Sequence, residues 1–247
     1  MPERETDLNQ LAGQSALVTG AGGGIGRALA KALSDEGATV CLVGRRREAL
    51  EETERVCAPK HAHVCPTDLT EENETIQLVG QVSEDFGGLD ILVHCAGVIS
   101  HGKISDATVE SFDAQYEANV RAPYLLTQRL LSMLTRNSGQ VVFINSSVVT
   151  GPRAGVSQFA ASQHALRAIA DTLRQEVNDA GIRVLSVFPG RTATSRQAAL
   201  HAREGKEYHP EVLLQPEDIA AMVVAALKLP RTAEVTDISI RPMLKSY

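Results

Sequence analysis

A glycine-rich run stands between a strand-like and a helix-like segment near the start of the chain. It reads TGAGGGIG over residues 19–26. Glycines permit positive φ angles and close approach of the backbone to a ligand, and the free N–H groups that open a helix bind anions. The usual GxGxxG fingerprint does not fit, and the spacing is GxxxGxG instead. The run predicts a dinucleotide pyrophosphate site rather than an empty turn, with these contacts: Gly20, Gly22, Gly24, Ile25 and Gly26.

Three consecutive arginines, Arg45, Arg46 and Arg47, follow the second strand-like segment. Their charge opposes the dipole of the helix that they precede, although a solvated basic face is the alternative interpretation. In dinucleotide-binding folds an acidic residue here binds the ribose 2′-OH of NAD, whereas arginine suits the 2′-phosphate of NADP. We therefore expect NADP(H) rather than NAD(H), with Arg45 as the main contact.

The elements that must position these residues alternate along the chain. Strand-like runs cover residues 15–19, 39–43, 61–65, 89–94, 140–145, 182–187 and 235–240. Helical patterns cover residues 25–36, 46–57, 71–86, 108–136, 158–180 and 216–228. Strands separated by helices predict right-handed crossovers and a parallel sheet. The fold class is therefore α/β, a doubly wound fold with helices on both faces.

One long irregular stretch, residues 190–215, follows the sixth strand. A loop of this length in a compact domain is usually functional, and ligands of doubly wound sheets bind at the carboxyl ends of the strands. We interpret it as a substrate lid within a single domain, residues 1–247. Its basic residues suggest an acidic group on the substrate, with a solvated loop as the alternative; they are Arg191, Arg196, Arg203 and Lys206.

The glycine run, CAG at residues 95–97, Asn119, Ser146 and PGRTAT at 189–194 together resemble the short-chain dehydrogenase/reductase family. The resemblance runs from about residue 11 to residue 194 and includes the end of the seventh strand. It implies a three-layer Rossmann fold with a seven-stranded parallel sheet, a nicotinamide cofactor, and a homodimer or homotetramer. It also implies further cofactor-binding residues, namely Asp68, Ala96, Gly97, Pro189, Gly190 and Thr194.

Two of these residues have stated roles in the family. The resemblance implies that Asp68 contacts the adenine amino group and that Thr194 contacts the nicotinamide amide. An equal alternative for Asp68 is the N-cap of the next helix, which Thr70 could also provide.

The resemblance also implies a catalytic set of Asn, Ser, Tyr and a Lys four residues after the Tyr. Asn119 and Ser146 match it, with Ser147 as the rival serine. Phe159 and Gln163 stand where the family has Tyr and Lys, on one face of a helix. Because Phe has no phenolic proton and Gln no charge, the usual proton relay is missing. Losing a positioned acid costs about 10²–10⁴ in rate, although the Gln amide could still hydrogen-bond ribose hydroxyls.

Three functions therefore remain open. The first is an NADP(H)-binding protein with atypical or non-redox chemistry, such as cyclisation or elimination, on a small molecule. The second is an oxidoreductase in which Tyr208, His201 or His209 of the lid supplies the proton, or an active reductase in which Phe159 and Gln163 were introduced. The third is a non-catalytic regulator that binds the cofactor. His164 follows Gln163 but points about 100° away from it around the helix.

Composition excludes other classes of partner. The net charge of −6, with 24 basic and 30 acidic residues, argues against nucleic acid. The longest apolar run, about nine residues, is too short for a membrane span, which needs about 20. The first 14 residues carry no secretory pattern, and the four cysteines form no CxxC pair. We expect a cytoplasmic protein with reduced cysteines, no metal site and a small-molecule substrate.

Overall fold

A computed structural model describes residues 10–244. Its strands are β1 Ser15–Thr19, β2 Thr39–Gly44, β3 Ala62–Pro66, β4 Ile91–His94, β5 Gln140–Ile144, β6 Arg183–Pro189 and β7 Asp237–Ile240. They form one parallel sheet in the order β3-β2-β1-β4-β5-β6-β7. The predicted fold, a doubly wound Rossmann sheet of seven parallel strands, is confirmed.

The helices are α1 Gly24–Asp35, α2 Arg47–Glu54, α3 Glu72–Phe86, α4 Val109–Tyr116, α5 Ala122–Arg136, α6 Ser157–Val177, α7 Ser195–Arg203 and α8 Pro216–Leu227. Two apolar cores lie on opposite faces of the sheet. Helices α1, α2 and α8 pack on one face, where Ala16 and Val18 of β1 are buried. Helices α3, α5 and α6 pack on the other, where Leu17 is buried. Alternate strand residues thus serve both faces, as a fully covered parallel sheet requires.

The predicted single helix over residues 108–136 is wrong in its middle. A π-helical turn, Glu117–Arg121, separates α4 from α5. Pro123 lies in the first turn of α5. Proline has no N–H, and its ring conflicts with the carbonyl of the residue four positions earlier, here Asn119. The wider turn accommodates the proline and places Asn119 in a locally distorted segment.

The stretch 190–215, expected to be irregular, also contains ordered structure. It holds α7 and a short 3₁₀ turn, Pro210–Val212. Helix α7 begins because the Thr194 hydroxyl accepts a hydrogen bond from the backbone N–H of Gln197 at 3.1 Å. Polar residues on most of its exposed surface conceal this helix in the sequence. Within residues 10–244, none of the helices combines the length and the apolar character that a membrane span needs.

Candidate active site

A cleft of about 450 Å³ opens at the carboxyl edge of the sheet. Strand β1 lies between β2 and β4, so the chain order reverses at this point, where doubly wound folds bind ligands. Every predicted site residue lines the cleft: Gly20, Gly22, Gly24, Ile25, Gly26, Arg45, Asp68, Ala96, Gly97, Asn119, Ser146, Phe159, Gln163, Pro189, Gly190 and Thr194.

The glycine run forms a tight turn into α1. Gly20 adopts a φ of +68°, and a Cβ atom there would lie 2.8 Å from the backbone nitrogen of Ala96. A Cβ atom on Gly26 would lie 2.2 Å from the carbonyl oxygen of Gly20. Both positions therefore require glycine for space. Helix α1 has no side-chain cap, so its first N–H groups remain available to an anion.

The hydroxyl of Thr19 connects this turn to the end of β4. It accepts hydrogen bonds from the backbone N–H groups of Cys95 and Ala96, each at 3.0 Å, and donates one to Val93. These bonds place the loop after β4 against the glycine turn. Thr19 was not among the predicted site residues, because only the three-dimensional pairing of β1 with β4 shows its role.

Two arginines, Arg45 and Arg46, lie at the end of the cleft that β2 and β3 border. Both are exposed, and neither forms an ion pair with another described residue, whereas Arg47 pairs with Glu51 at 3.9 Å. Their charges are thus available to a ligand. The geometry fits a phosphate group at this end, because guanidinium groups donate two parallel hydrogen bonds to phosphate.

Asp68 lies beside these arginines and forms a local turn. Its Oδ1 atom accepts hydrogen bonds from the backbone N–H and the hydroxyl of Thr70, at 3.0 and 2.7 Å. Burial raises the pKa of Asp68. The two Thr70 bonds and the charge of Arg45 lower the pKa by more than burial raises it, so the net shift is downward. The N-cap alternative is wrong for both residues, because α3 begins after Glu71.

Asn119 is buried in the π-helical turn, and its side chain holds two neighbouring elements. Its Oδ1 accepts from the backbone N–H of Val98 at 2.8 Å. Its Nδ2 donates to the Val98 carbonyl at 2.9 Å and to Ser162 Oγ at 3.0 Å. A π-helical turn is frequent at functional sites. Here it fixes the position of the β4 loop relative to α6.

The two candidate serines differ in their position relative to the cleft. Ser146 lines the cleft, and Ser147 is not among the residues that line it. The Ser146 hydroxyl accepts a hydrogen bond from the backbone N–H of Val148 at 3.2 Å, and its own N–H donates to Asn145 at 2.7 Å. The Ser146 side chain is therefore held at the end of β5, facing the cleft.

Phe159 and Gln163 lie one turn apart on α6 and both line the cleft. Gln163 is buried, with only 5% of its surface exposed, yet its side-chain amide forms no hydrogen bond with a described residue. Its backbone carbonyl accepts from Asn145 at 3.1 Å. The amide is thus free to hydrogen-bond a ligand in the cleft. The described lining residues include no Tyr, Lys or His.

The lid residues considered as alternative acids lie elsewhere. His201 is buried, contacts Gln197 through Nδ1 and packs its ring edge-on against Tyr208. The Tyr208 hydroxyl donates to the Thr194 carbonyl at 3.5 Å. His209 is exposed between two glutamates. None of the three lines the cleft, and neither does His164.

Arg196 and Cys95 do line the cleft. Arg196 donates from Nη2 to the Gly97 carbonyl at 2.7 Å and so connects α7 to the loop after β4. Burial raises the pKa of Cys95 to about 12, with a small opposing effect of Arg196. The four cysteines are free thiols. No cluster of metal-ligating side chains occurs within residues 10–244.

Known proteins with similar sequences identify the family. A family model described as short chain dehydrogenase matches residues 14–205. The chain belongs to this family. An uncharacterized oxidoreductase of Staphylococcus aureus (strain USA300) is 34% identical over 239 residues, which are 96% of this chain and 100% of the relative. A second, of Staphylococcus haemolyticus (strain JCSC1435), is 32% identical over 237 residues, 96% and 100% of the two chains.

Solved structures of the short-chain dehydrogenase fold agree closely with this one. A metagenomic short-chain oxidoreductase in complex with NADP has a TM-score of 0.82 and 29% identity, covering 96% of this chain and 100% of that chain. A variant of actinorhodin polyketide ketoreductase with NADPH has a TM-score of 0.87 and 27% identity, covering 96% and 99%. A 3-ketoacyl-(acyl-carrier-protein) reductase from Brucella melitensis, complexed with NADH, has a TM-score of 0.82 and 25% identity, covering 94% of this chain and 98% of that chain. All three hold a nicotinamide cofactor.

Proposed function

We propose that this short-chain dehydrogenase binds NADP(H) in the cleft and acts on a small molecule without the family's Tyr/Lys proton relay. The reaction is atypical, a non-redox step such as an elimination or a cyclisation beside Ser146 and Phe159. The observation that carries the proposal is the lining of the cleft. It combines a cradle for a dinucleotide with the absence of Tyr, Lys and His among the described lining residues.

The cleft fits a nicotinamide dinucleotide along its length. The glycine turn has no room for a Cβ atom at Gly20 or Gly26, which suits a pyrophosphate at the start of α1. Arg45 would hold a 2′-phosphate, and this favours NADP(H) over NAD(H). The amide of Gln163 would bond the ribose, since it offers both a donor and an acceptor.

A nicotinamide cofactor supplies or accepts a hydride when bound. Hydride transfer to a carbonyl also needs a proton for the resulting oxygen anion, and Phe159 has none to give. Cys95 lines the cleft, but a thiol with a pKa near 12 is a weak acid at neutral pH, and a general acid works best with a pKa near the operating pH. The missing donor therefore favours chemistry other than ordinary carbonyl reduction.

The competing functions make different demands on the structure. A reductase that takes its proton from the lid needs Tyr208, His201 or His209 in the cleft, and all three lie outside it. A regulator needs only the cofactor cradle, which is present. The Ser146 hydroxyl faces the same cleft, and its O–H has no acceptor among the described residues. This favours an enzyme over a regulator, because the hydroxyl is free to bond a substrate.

A nucleotide titration followed by a reduction assay tests the proposal. We expect isothermal titration calorimetry to show tighter binding of NADPH than of NADH. We expect no NADPH oxidation at ordinary family rates across a broad panel of ketones and aldehydes. Failure of both nucleotides to bind would refute the cofactor part, and fast NADPH oxidation by the unaltered protein would refute the atypical chemistry.

A homodimer or homotetramer is a further part of the proposal. Large apolar side chains of α4 and α5 are exposed in the single chain, with 69% exposure at Val109 and 52% at Tyr124. A second copy of the chain packed on these helices would cover them, and light scattering on the purified protein measures the mass directly. A monomer would refute this part.

A further inference from the structure

A cluster of basic side chains lies beside the cleft, near the carboxylate of Glu204. We call it the basic cluster, and it comprises His101, Arg153, Arg191, Arg203 and Lys206. Lys206 Nζ lies 2.9 Å from Glu204 Oε2, and Arg191 Nη2 lies 3.7 Å from the same oxygen. His101 Nδ1 lies 3.7 Å from Oε1.

The fold assembles this cluster from the loops after three neighbouring strands, β4, β5 and β6. The backbone N–H of Gly102 donates to the Gly155 carbonyl at 2.9 Å, which brings the loop after β4 against the loop after β5. Two of these loops also contribute to the cleft close by in sequence: Ile99 precedes His101, and Gly190 precedes Arg191. Leu200, one helical turn before Glu204, lines the cleft as well. The five side chains of the basic cluster are not among the residues that line the cleft, so the cluster lies beside the cleft and not in it.

Positive charge in the cluster exceeds what Glu204 can neutralise. Lys206, Arg191 and Arg153 all lower the pKa of the single Glu204 carboxyl. Arg203 adds a fourth permanent charge beside His101, and Arg153 and Arg203 form no ion pair with any other described residue. Arg191 has a further feature, because its Nη1 is buried and has no hydrogen-bond partner among residues 10–244. A buried donor without an acceptor is costly, and this points to an acceptor that the described part of the chain does not supply.

We infer that the basic cluster binds a carboxylate of the substrate, which replaces Glu204 as the partner of Arg191. This inference rests on the proposed function, since it assumes a small molecule in the cleft. A carboxylate is the group favoured, because the cluster already holds one, that of Glu204, whose side chain is 26% exposed. Guanidinium groups bind carboxylates through two parallel hydrogen bonds, and Nη1 of Arg191 offers the unused donor.

The environment of His101 agrees with a site prepared for an anion. Burial lowers its pKa; Glu204 opposes this, and Arg153, Arg191 and Arg203 lower it further. The imidazole is therefore neutral near pH 7. A second carboxylate in the cluster would raise the pKa of His101 and would draw a proton to the ring.

Succinate is the probe for the test, with its dimethyl ester as the neutral matched ligand and inorganic phosphate as the competing anion. Calorimetry is done on NADPH-loaded protein at constant ionic strength. We expect succinate to bind and the ester not to bind. We expect Arg191→Gln to weaken succinate binding at least about tenfold, and Glu204→Gln to strengthen it about tenfold, from the removal of the internal competitor. Arg55→Gln, the same charge change at the far end of α2, should leave binding unchanged.

Each other outcome counts against the inference. Equal binding of succinate by Arg191→Gln and the unaltered protein would overturn it, as would weaker binding by Glu204→Gln. Phosphate binding without succinate binding would show a phosphate site and would overturn the choice of carboxylate. NADPH affinity and melting temperature, measured on the same samples, separate the causes. If NADPH binds and succinate does not, only this inference fails; if NADPH does not bind, the proposed function fails first.

Discussion

The side-chain amide of Asn119 donates a hydrogen bond to Ser162 Oγ at 3.0 Å. Ser162 lies between Phe159 and Gln163 on α6 and donates in turn to the Phe159 carbonyl at 2.8 Å. The bond therefore ties the π-helical turn to the part of α6 that lines the cleft. All polar atoms of the Asn119 amide are engaged with Val98 or Ser162, so its effect on the site is to position other groups.

Replacing this amide by a carboxylate should destabilise the protein. In Asn119→Asp the Nδ2 donor becomes an acceptor that faces the Val98 carbonyl, and a buried polar group without a partner costs about 1–3 kcal/mol. Urea denaturation should show a lower free energy of unfolding by about this amount. Asn178→Asp, the same change at an exposed position, is the control, and an equal effect of both substitutions would contradict the prediction.

The glycine turn offers a paired test of crowding. In Gly26→Ala the new methyl would meet the Gly20 carbonyl oxygen at 2.2 Å. Overpacking of this kind typically costs about 1–3 kcal/mol, so the melting temperature and NADPH binding should both fall. Gly23→Ala is the control for stability, because nothing lies within 4 Å of its Cβ and its φ of 169° is extended backbone. A Gly26→Ala protein as stable as the control would refute the crowding argument.

Cofactor preference can be tested at Arg45. Arg45→Gln should weaken NADPH binding about tenfold or more, since a charge-assisted hydrogen bond contributes about 1.5–3 kcal/mol. NADH binding should change little, because NADH has no 2′-phosphate. Arg47→Gln is the control, because Arg47 lies two positions after Arg45 and does not line the cleft. Equal losses for NADPH and NADH, or equal effects of the two substitutions, would count against the assignment.

The burial of His94 leads to a prediction of how the stability of the protein depends on pH. It is buried at the end of β4, hydrogen-bonded to Thr127 at 2.7 Å and stacked on Phe143, and burial lowers its pKa to about 3. In the unfolded chain its pKa is about 6.5. Between these values only the unfolded state binds the proton, so His94 lowers stability as pH falls, by about 1.4 kcal/mol per pH unit.

The measurement for His94 is the slope of unfolding free energy against pH between about 4.5 and 6. As the pH falls, the unfolding free energy of the wild type should decrease more steeply than that of His94→Gln. The two slopes should differ by the uptake of close to one proton on unfolding. Parallel slopes for the two proteins would show that His94 takes up its proton in the folded state.

The sequence predicted most of the cleft because its signals are local. The glycine spacing, Arg45 after β2, and the interval between Phe159 and Gln163 can each be read within a few residues. The parallel sheet followed from strand and helix alternation. The π-helical turn was missed, because the pattern of apolar residues runs through it and only the conflict at Pro123 interrupts the helix.

Features made by long-range packing escaped the sequence. The Thr19 hydroxyl gains its role only when β4 pairs with β1 and brings Cys95 to it, 76 positions along the chain. The basic cluster also depends on loops that are far apart in sequence. Arg191 and Lys206 are visible as charges, but their positions beside Glu204 depend on how α7 packs against the loop after β4.

The most direct test of the account compares carbonyl reduction by the unaltered protein and by Phe159→Tyr/Gln163→Lys, with NADPH and the same ketone panel, including ketones that carry a carboxylate. The double substitution restores a proton donor and a cation to the face of α6 that lines the cleft. Phe159→Tyr/His164→Lys, with the lysine outside the cleft, is the matched control. We predict reduction by the first variant at least about 10²-fold faster than by the unaltered protein or the control. Reduction by the unaltered protein at the rate of the first variant would contradict the account.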